Sequence, residues 1–306
     1  MSHSLPVIRL MSEGGDVVVR DGLVLCFYMR HSHRDVADRV WGALEKYRRA
    51  IPPHALGWYG SDDGDTLPLD EAGWAHIRHQ IVERPWGGEW IVELTELPDK
   101  VGGYHVDYDG RKLDEPLFSR DDSATSGLCF SFPTEYLLTH GPEHFRALAL
   151  DIARELPFSF GYASPALLSH PGVWFCVRQQ VQEVLQRYLG LDLPRLGGTS
   201  RRMGTQARGA YWLTFMGPPL LAQLGGREAV ERQVDLPGVR VEPLDEERIL
   251  VALDEWPEAL DMEKQPVPLP YRELERVLEP FLYDEEAVWL PWETGTLQRW
   301  GRRLRR

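Results

Sequence analysis

The sequence predicts an α+β fold with mixed, largely antiparallel sheets and packed helices. Strand and helix patterns succeed one another without a regular βα alternation, hairpin signals recur, and no long linker divides the 306 residues. The halves follow a similar order. That order suggests two related lobes, 15–120 and 125–260, sharing one sheet system within a single compact domain 1–306, with a helical C-terminal segment at 268–306.

Element by element, "DVVVRDGLVLCFYMR" (16–30) predicts two strands joined by a tight turn at Asp21-Gly22, because Asp-Gly between β-branched and aromatic runs is a strong hairpin signal. A helix follows over 32–51, with Val36, Val40, Ala43, Leu44 and Tyr47 on one face, Ser32 as its cap and Pro52-Pro53 as its stop. Residues 70–84 form a second amphipathic helix with Trp74, Ile77 and Ile81 inward. Strands are expected at "EWIVELTEL" (89–97), "GYHVDYDG" (103–110) and "LCFSFP" (128–133), the second and third separated by a polar connection from Asp114 to Ser126.

From Pro142, the residues Phe145, Leu148, Ile152 and Leu156 recur at helical spacing up to Pro157, and a strand "FSFGYASPALL" follows. Next comes a strong helix over 171–190, begun by Pro171, stopped by Gly190 in a left-handed turn, and striped by Trp174, Val177, Val181, Val184 or Leu185, and Tyr188. "RLGGTSRRMGTQARGA" (195–210) reads as a flexible connection into the strand of "YWLTFMGPPLLAQLGG". A short helix at 227–233, strands "GVRVEPL" and "RILVALDEW", the helix "YRELERVLEPFL" and a Trp-rich tail complete the chain.

Composition narrows the function classes. A 43% hydrophobic and 26% charged chain is that of a soluble globular protein, and no apolar run approaches the roughly 20 residues of a membrane span. A cytoplasmic location is expected. The cysteines Cys26, Cys129 and Cys176 sit in apolar runs without a CxxC pair, which predicts buried free thiols. The 47 acidic against 34 basic residues give a net charge of −13, which disfavours nucleic acid and favours a basic partner. Residues 242–263 are densely acidic with only Arg248 opposing them, whereas "RWGRRLRR" forms a basic tail.

Candidate catalytic motifs fail on their context. "HGPEH" (140–144) has the spacing of an inverted zinc-peptidase motif, but Pro142 must start a helix, leaving His140 in the incoming loop and His144 in the first turn. Asp62, Asp63 and Asp65 of "GSDDGD" resemble part of a calcium loop, yet Ala72 stands where the closing glutamate belongs. The glycine-rich stretch matches neither GxxxxGK[ST] nor GxGxxG, even with Arg201, Arg202 and Arg208 to supply charge. GxSxG is absent. No catalytic residue, metal or cofactor is therefore expected.

The combination of "FRALALDIARELPFSFGYASPALL" (145–168) with "ARGAYWLTFMGPPLLAQLGG" (207–226) resembles the type VI secretion immunity proteins associated with VRR-Nuc nuclease toxins, formerly a domain of unknown function. The resemblance runs from "LVLCFYMR" through the strand after "PGVRVEPL". It implies a non-catalytic protein that binds a toxin delivered between bacteria and covers the active site of its nuclease domain. The family has no catalytic residues to carry over. Independently, an acidic surface suits the cationic groove of a DNA-cutting enzyme. The candidate contact surface is Asp245, Glu246, Glu247, Asp254, Glu255 and Trp256, with Asp62, Asp63 and Asp65 as a second patch. Two other readings compete: an adaptor using the aromatics of "VWLPWETGTLQRW", and a metal-dependent hydrolase in which His76, His79, His140 and His144 converge.

Overall fold

A computed structural model describes residues 5–84, 89–114, 123–170, 173–284 and 296–305. In chain order the elements are β1 (Arg9–Met11), β2 (Val17–Met29), α1 (His33–Ala50), β3 (Trp58–Gly60), β4 (Thr66–Pro68), α2 (Glu71–Arg78), β5 (Glu89–Thr95), β6 (His105–Arg111) and β7 (Ser126–Pro133). Then follow α3 (Thr134–His140), α4 (Pro142–Glu155), β8 (Phe160–Ser169), α5 (Arg178–Arg187), α6 (Leu196–Ser200), β9 (Leu213–Met216), α7 (Leu220–Gln223) and α8 (Arg227–Gln233). The chain continues through β10 (Arg240–Pro243), β11 (Ile249–Ala252), α9 (Leu269–Leu278) and α10 (Thr296–Gly301).

The 11 strands form one antiparallel sheet in the order β10-β11-β9-β8-β2-β7-β6-β5-β3-β4, with β1 added along β2. This is the expected α+β class. Its centre corrects the expected hairpin: 16–30 does not turn at Asp21-Gly22 but carries β2, a single strand of 13 residues. Asp21 is buried, and its carboxylate accepts hydrogen bonds from the Ile8 amide at 2.7 Å and the Thr134 hydroxyl at 2.5 Å while pairing with Arg9. Those partners replace the turn. Gly22 is paired with Ala166 of β8 on one side and Pro133 of β7 on the other, and a methyl group there would meet the Leu168 side chain and, at 2.6 Å, the Phe132 carbonyl. It serves close approach, not reversal.

Both faces of β2 are buried, so its apolar residues run continuously instead of alternating with polar ones. Leu23, Leu25, Phe27 and Met29 face the first core, which α1, α2, α3 and α4 cover through residues such as Val40, Ile77, Leu137 and Phe145. Val24, Cys26 and Tyr28 face the second, which includes residues of α6, α7, α8 and α9. A smaller third core joins Val19 and Leu167 to Trp174, Val177, Val181 and Leu185. The stripe expected for that helix is thus present, but in a different frame. A single 3-10 turn over Trp174–Val177 precedes α5, and Pro171 and Gly172 lie outside the described residues. Gly190 is no left-handed cap; it lets the chain press against the Glu258 carbonyl.

Other expectations are corrected by burial. The stretch 195–210 is not a loose connection, because Arg208 and Asp192 are fully buried and paired at 2.6 Å, joined by the Tyr162 hydroxyl and the Leu193 carbonyl. Removing one partner of such a pair leaves an uncompensated buried charge. The basic tail is likewise engaged: Arg303 is buried, donates to the Leu189 carbonyl at 2.6 Å and lies over the Trp300 ring. Cys26 and Cys129 are buried as expected, but Cys176 is exposed on the outer side of its 3-10 turn. Ser32 does precede α1, although its hydroxyl bonds Asp114 and the Leu113 amide instead of capping the helix. The Trp-rich tail at 285–295 and most of the 114–126 connection lie outside the described residues.

His33, the first residue of α1, ties that helix to the sheet. Its ring stacks on Trp90 at 4.1 Å and its Nδ1 lies 2.7 Å from the Tyr108 hydroxyl, both residues buried. Burial lowers its pKa to about 4. A folded-state value below the unfolded 6.5 means that the unfolded chain takes the proton first, so stability is lost as pH falls from about 6.5 towards 4. Replacing the histidine by glutamine removes this term. Urea unfolding across that window is expected to show a flatter decline for His33→Gln than for the unchanged chain; equal slopes would refute the assignment. Gly22→Ala is expected to lose about 1–3 kcal/mol by overpacking in the same assay, and an unchanged midpoint would show that β7 and β8 can move apart.

Candidate interaction surface and an open sheet face

The expected contact residues lie at the two margins of the sheet and form separate patches. Asp245, Glu246 and Glu247 make the turn between β10 and β11 at one end of the strand order. Asp245 is largely committed to that turn: its carboxylate accepts from the amides of Glu247 and Arg248 and from the Arg248 guanidinium at 2.7 Å. Partial burial would raise its pKa, but these hydrogen bonds prevail and hold it below the usual carboxylate range. Arg248 in turn closes the end of α4 by donating to the carbonyls of Ala153 and Leu156. Glu246 and Glu247 project outward.

Across the same margin, the Asp254 carbonyl accepts from the Trp212 indole and Glu255 is exposed. Trp256 is half-buried against the first core, so part of its ring belongs to the fold. Asp62, Asp63 and Asp65 occupy the β3–β4 turn at the opposite end of the strand order, closed by Gly64 at φ 87°. Asp62 pairs with Arg84 at 3.1 Å, while Asp63 and Asp65 are exposed.

The histidines are not gathered into one site. His79 bonds Glu83 and His76 lies against Tyr59, whereas His140 and His144 stack on each other at 4.9 Å beside Tyr136. His140 is the last residue of α3, not part of a loop as expected; Gly141 at φ 82° then turns the chain into Pro142, the first residue of α4. The two imidazoles therefore belong to different helices, and the inverted peptidase geometry is lost.

A cleft that the sequence did not single out lies on the second face of the sheet. Among the described residues, the second and third cores contain no side chain of β5 or β6. Residues alternate there as sheet geometry requires: Trp90, Val92 and Leu94 enter the first core, and Ile91, Glu93 and Thr95 point the other way. On β6, Val106 and Tyr108 go inward while His105, Asp107 and Asp109 face the cleft. The end of β8 and the α6 segment wall it, enclosing about 380 Å³. Its signal in the sequence was the polar residue at every second position of "HVDYDGR" and at all but Ile91 of the same positions in "EWIVELT".

A buried network holds one wall in place. Arg111 bridges Asp109 at 2.5 Å and Glu89 at 2.7 Å, and the Ser200 hydroxyl of α6 also bonds Asp109. Burial nevertheless raises the Asp109 carboxyl, against the pull of Arg111. On β5, opposite Asp107, burial and then that neighbouring carboxylate raise the Glu93 carboxyl. Burial alone would lower His105, but Asp107, 2.9 Å away, raises it on balance. Among the described residues no helix is long and apolar enough to cross a membrane.

The arrangement defines a class: a long antiparallel sheet with helices on both faces, acidic turns at its margins and one incompletely covered face. Residues 39–304 match the model of the family described as TsiV, type VI immunity for VRR-NUC, and the chain belongs to that family. A Pseudomonas aeruginosa T6SS protein, PA0821, has the same fold, with a TM-score of 0.80 over 98% of this chain and 88% of that one at 19% identity. No curated protein matches in sequence.

If the β5–β6 face is open, substitutions on its two sides must differ. Ile91→Thr, at a 60% exposed position, is expected to change unfolding free energy by no more than about 0.5 kcal/mol. Leu94→Ala, at a fully buried one, is expected to lose about 2–5 kcal/mol. Equal losses in denaturant titration would mean that the face is covered.

Proposed function

We propose that the protein is a non-catalytic immunity protein that binds a VRR-NUC toxin in the cytoplasm and occludes the toxin's nuclease site. The observation that carries this reading is the family match across residues 39–304. The net charge of −13 supports it physically. A nuclease must present cations to phosphates, and an acidic protein is drawn to the same groove by long-range attraction and then competes with the nucleic acid for it. No membrane or nucleic-acid partner is required.

The contact surface proposed is the β10–β11 margin, where Asp245, Glu246 and Glu247 lie in the turn before β11 and Asp254, Glu255 and Trp256 follow its far end, with Glu246, Glu247 and Glu255 exposed. Asp62, Asp63 and Asp65 form the second candidate. Exposed rim charges chiefly set association rate and salt dependence, so charge reversal there reads out the mechanism without disturbing the core. Co-expression with a VRR-NUC toxin in a sensitive bacterium is expected to restore growth, with the two proteins co-purifying at fixed stoichiometry. Reversing Glu246, Glu247 and Glu255 to lysine is expected to slow association at least about tenfold and flatten its salt dependence. Unchanged kinetics for that variant and for the equivalent reversal of Asp62, Asp63 and Asp65 would eliminate the acidic-mimic mechanism; failure to protect growth would eliminate the function.

A further inference from the structure

We propose that Glu93, His105 and Asp107 form a zinc site opening into the cleft on the second face of the sheet. The inference departs from the expectation of no metal and is independent of the immunity reading. It begins with register. In the antiparallel pair β5–β6, Glu93 stands opposite Asp107 and Thr95 opposite His105, so the four side chains make a two-by-two block on one face. The ligand atoms of Glu93, His105 and Asp107 all lie within 4.8 Å of one another.

A bare block of this kind is poorly arranged for a protein without a metal. Two carboxylates directly opposite on neighbouring strands repel each other. The His105 Nε2, 2.9 Å from an Asp107 oxygen, compensates one of them. It leaves two polar atoms unsatisfied: Glu93 Oε1 and Thr95 Oγ1 are both buried without a hydrogen-bond partner, and Thr95 as a whole is only 8% exposed. An unsatisfied buried polar atom costs about 1–3 kcal/mol. Both orphans lie on the face that carries the three candidate ligands. A cation held by the imidazole and the two carboxylates would neutralise the repulsion and engage Glu93, and a metal-bound water would give the Thr95 hydroxyl its partner.

The donor set selects the ion. Magnesium and calcium prefer oxygen alone, whereas one imidazole with two carboxylates suits zinc, which ranks high in affinity among divalent metals. Three protein ligands with a fourth position open to a cleft is the arrangement of exchangeable zinc sites; closed structural sites use four. Two of the three ligands, His105 and Asp107, line about 380 Å³ of cleft, wide enough for water or for a donor atom brought by another molecule.

The experiment is calorimetric titration of zinc chloride into the full-length chain after metal removal with a chelator. One zinc per chain is expected, accompanied by a rise in melting temperature that a chelator reverses. Asp107→Asn, His105→Gln and Glu93→Gln are each expected to weaken binding beyond the roughly 10–100-fold that loss of an outer-shell partner costs, with circular dichroism unchanged. His140→Gln, in the stacked pair on the other side of the sheet, is expected to bind zinc normally. Absence of binding by the unchanged chain overturns the proposal. So does a variant series in which His140→Gln loses the metal and the cleft variants keep it. Should a cleft variant fail to fold, the chelator-reversible melting shift of the unchanged chain and the His140→Gln titration still decide the matter.

Discussion

The fold depends on one strand. β2 is paired on both edges, to β7 and β8, and buried on both faces, so every other layer of the molecule is positioned relative to it. Such a strand has little solvent side on which to place polar residues: Arg20 reaches out to pair with Glu135, and the buried charge, Asp21, is held by Ile8, Arg9 and Thr134. The same carboxylate thereby links the N-terminal strand to the start of α3. Gly22 lets the neighbouring strands close over this point where a side chain would force them apart.

From that centre the cover is unequal. Four helices cover the first face from β3 to β11, while the second face is covered from β2 to β11 and left open, among the described residues, over β5 and β6. The polar residues that face the opening are therefore neither ordinary surface nor core. Thr95, His105, Asp107 and Asp109 sit on rigid strands with fixed register, half enclosed by α6 and the end of β8, with Glu93 opposite Asp107. Rigid elements position donor atoms better than loops do. The acidic turns at the margins, in contrast, present charge on short connections, which suits recognition by long-range attraction.

The class of fold was legible in the sequence, and so were most helices and strands, because stripes such as Val36-Val40-Ala43-Tyr47 in α1 and Val177-Val181-Leu185 near α5 have one physical cause, a single buried face. What misled was local chemistry overridden by distant partners. Asp-Gly favours a turn in isolation, but Asp21 finds three partners up to 113 residues away. Glycine and arginine read as looseness over 195–210, yet Arg208 is buried against Asp192. Alternation in "EWIVELT" predicted a strand correctly, and it could not say which of its two faces would remain uncovered, since that depends on where helices from the second half of the chain pack. The contact residues were visible as charge density, but the commitments of Asp245 to Arg248 and of Trp256 to the core appear only in three dimensions.

The central claim, that this chain silences a VRR-NUC toxin by binding it, is tested most directly by titrating the purified protein into a fixed concentration of purified toxin nuclease domain while following DNA cleavage. The account predicts that activity falls in proportion to added protein and vanishes at a fixed stoichiometric ratio, at ionic strengths where the complex is intact. Undiminished cleavage in the presence of a large excess would contradict it.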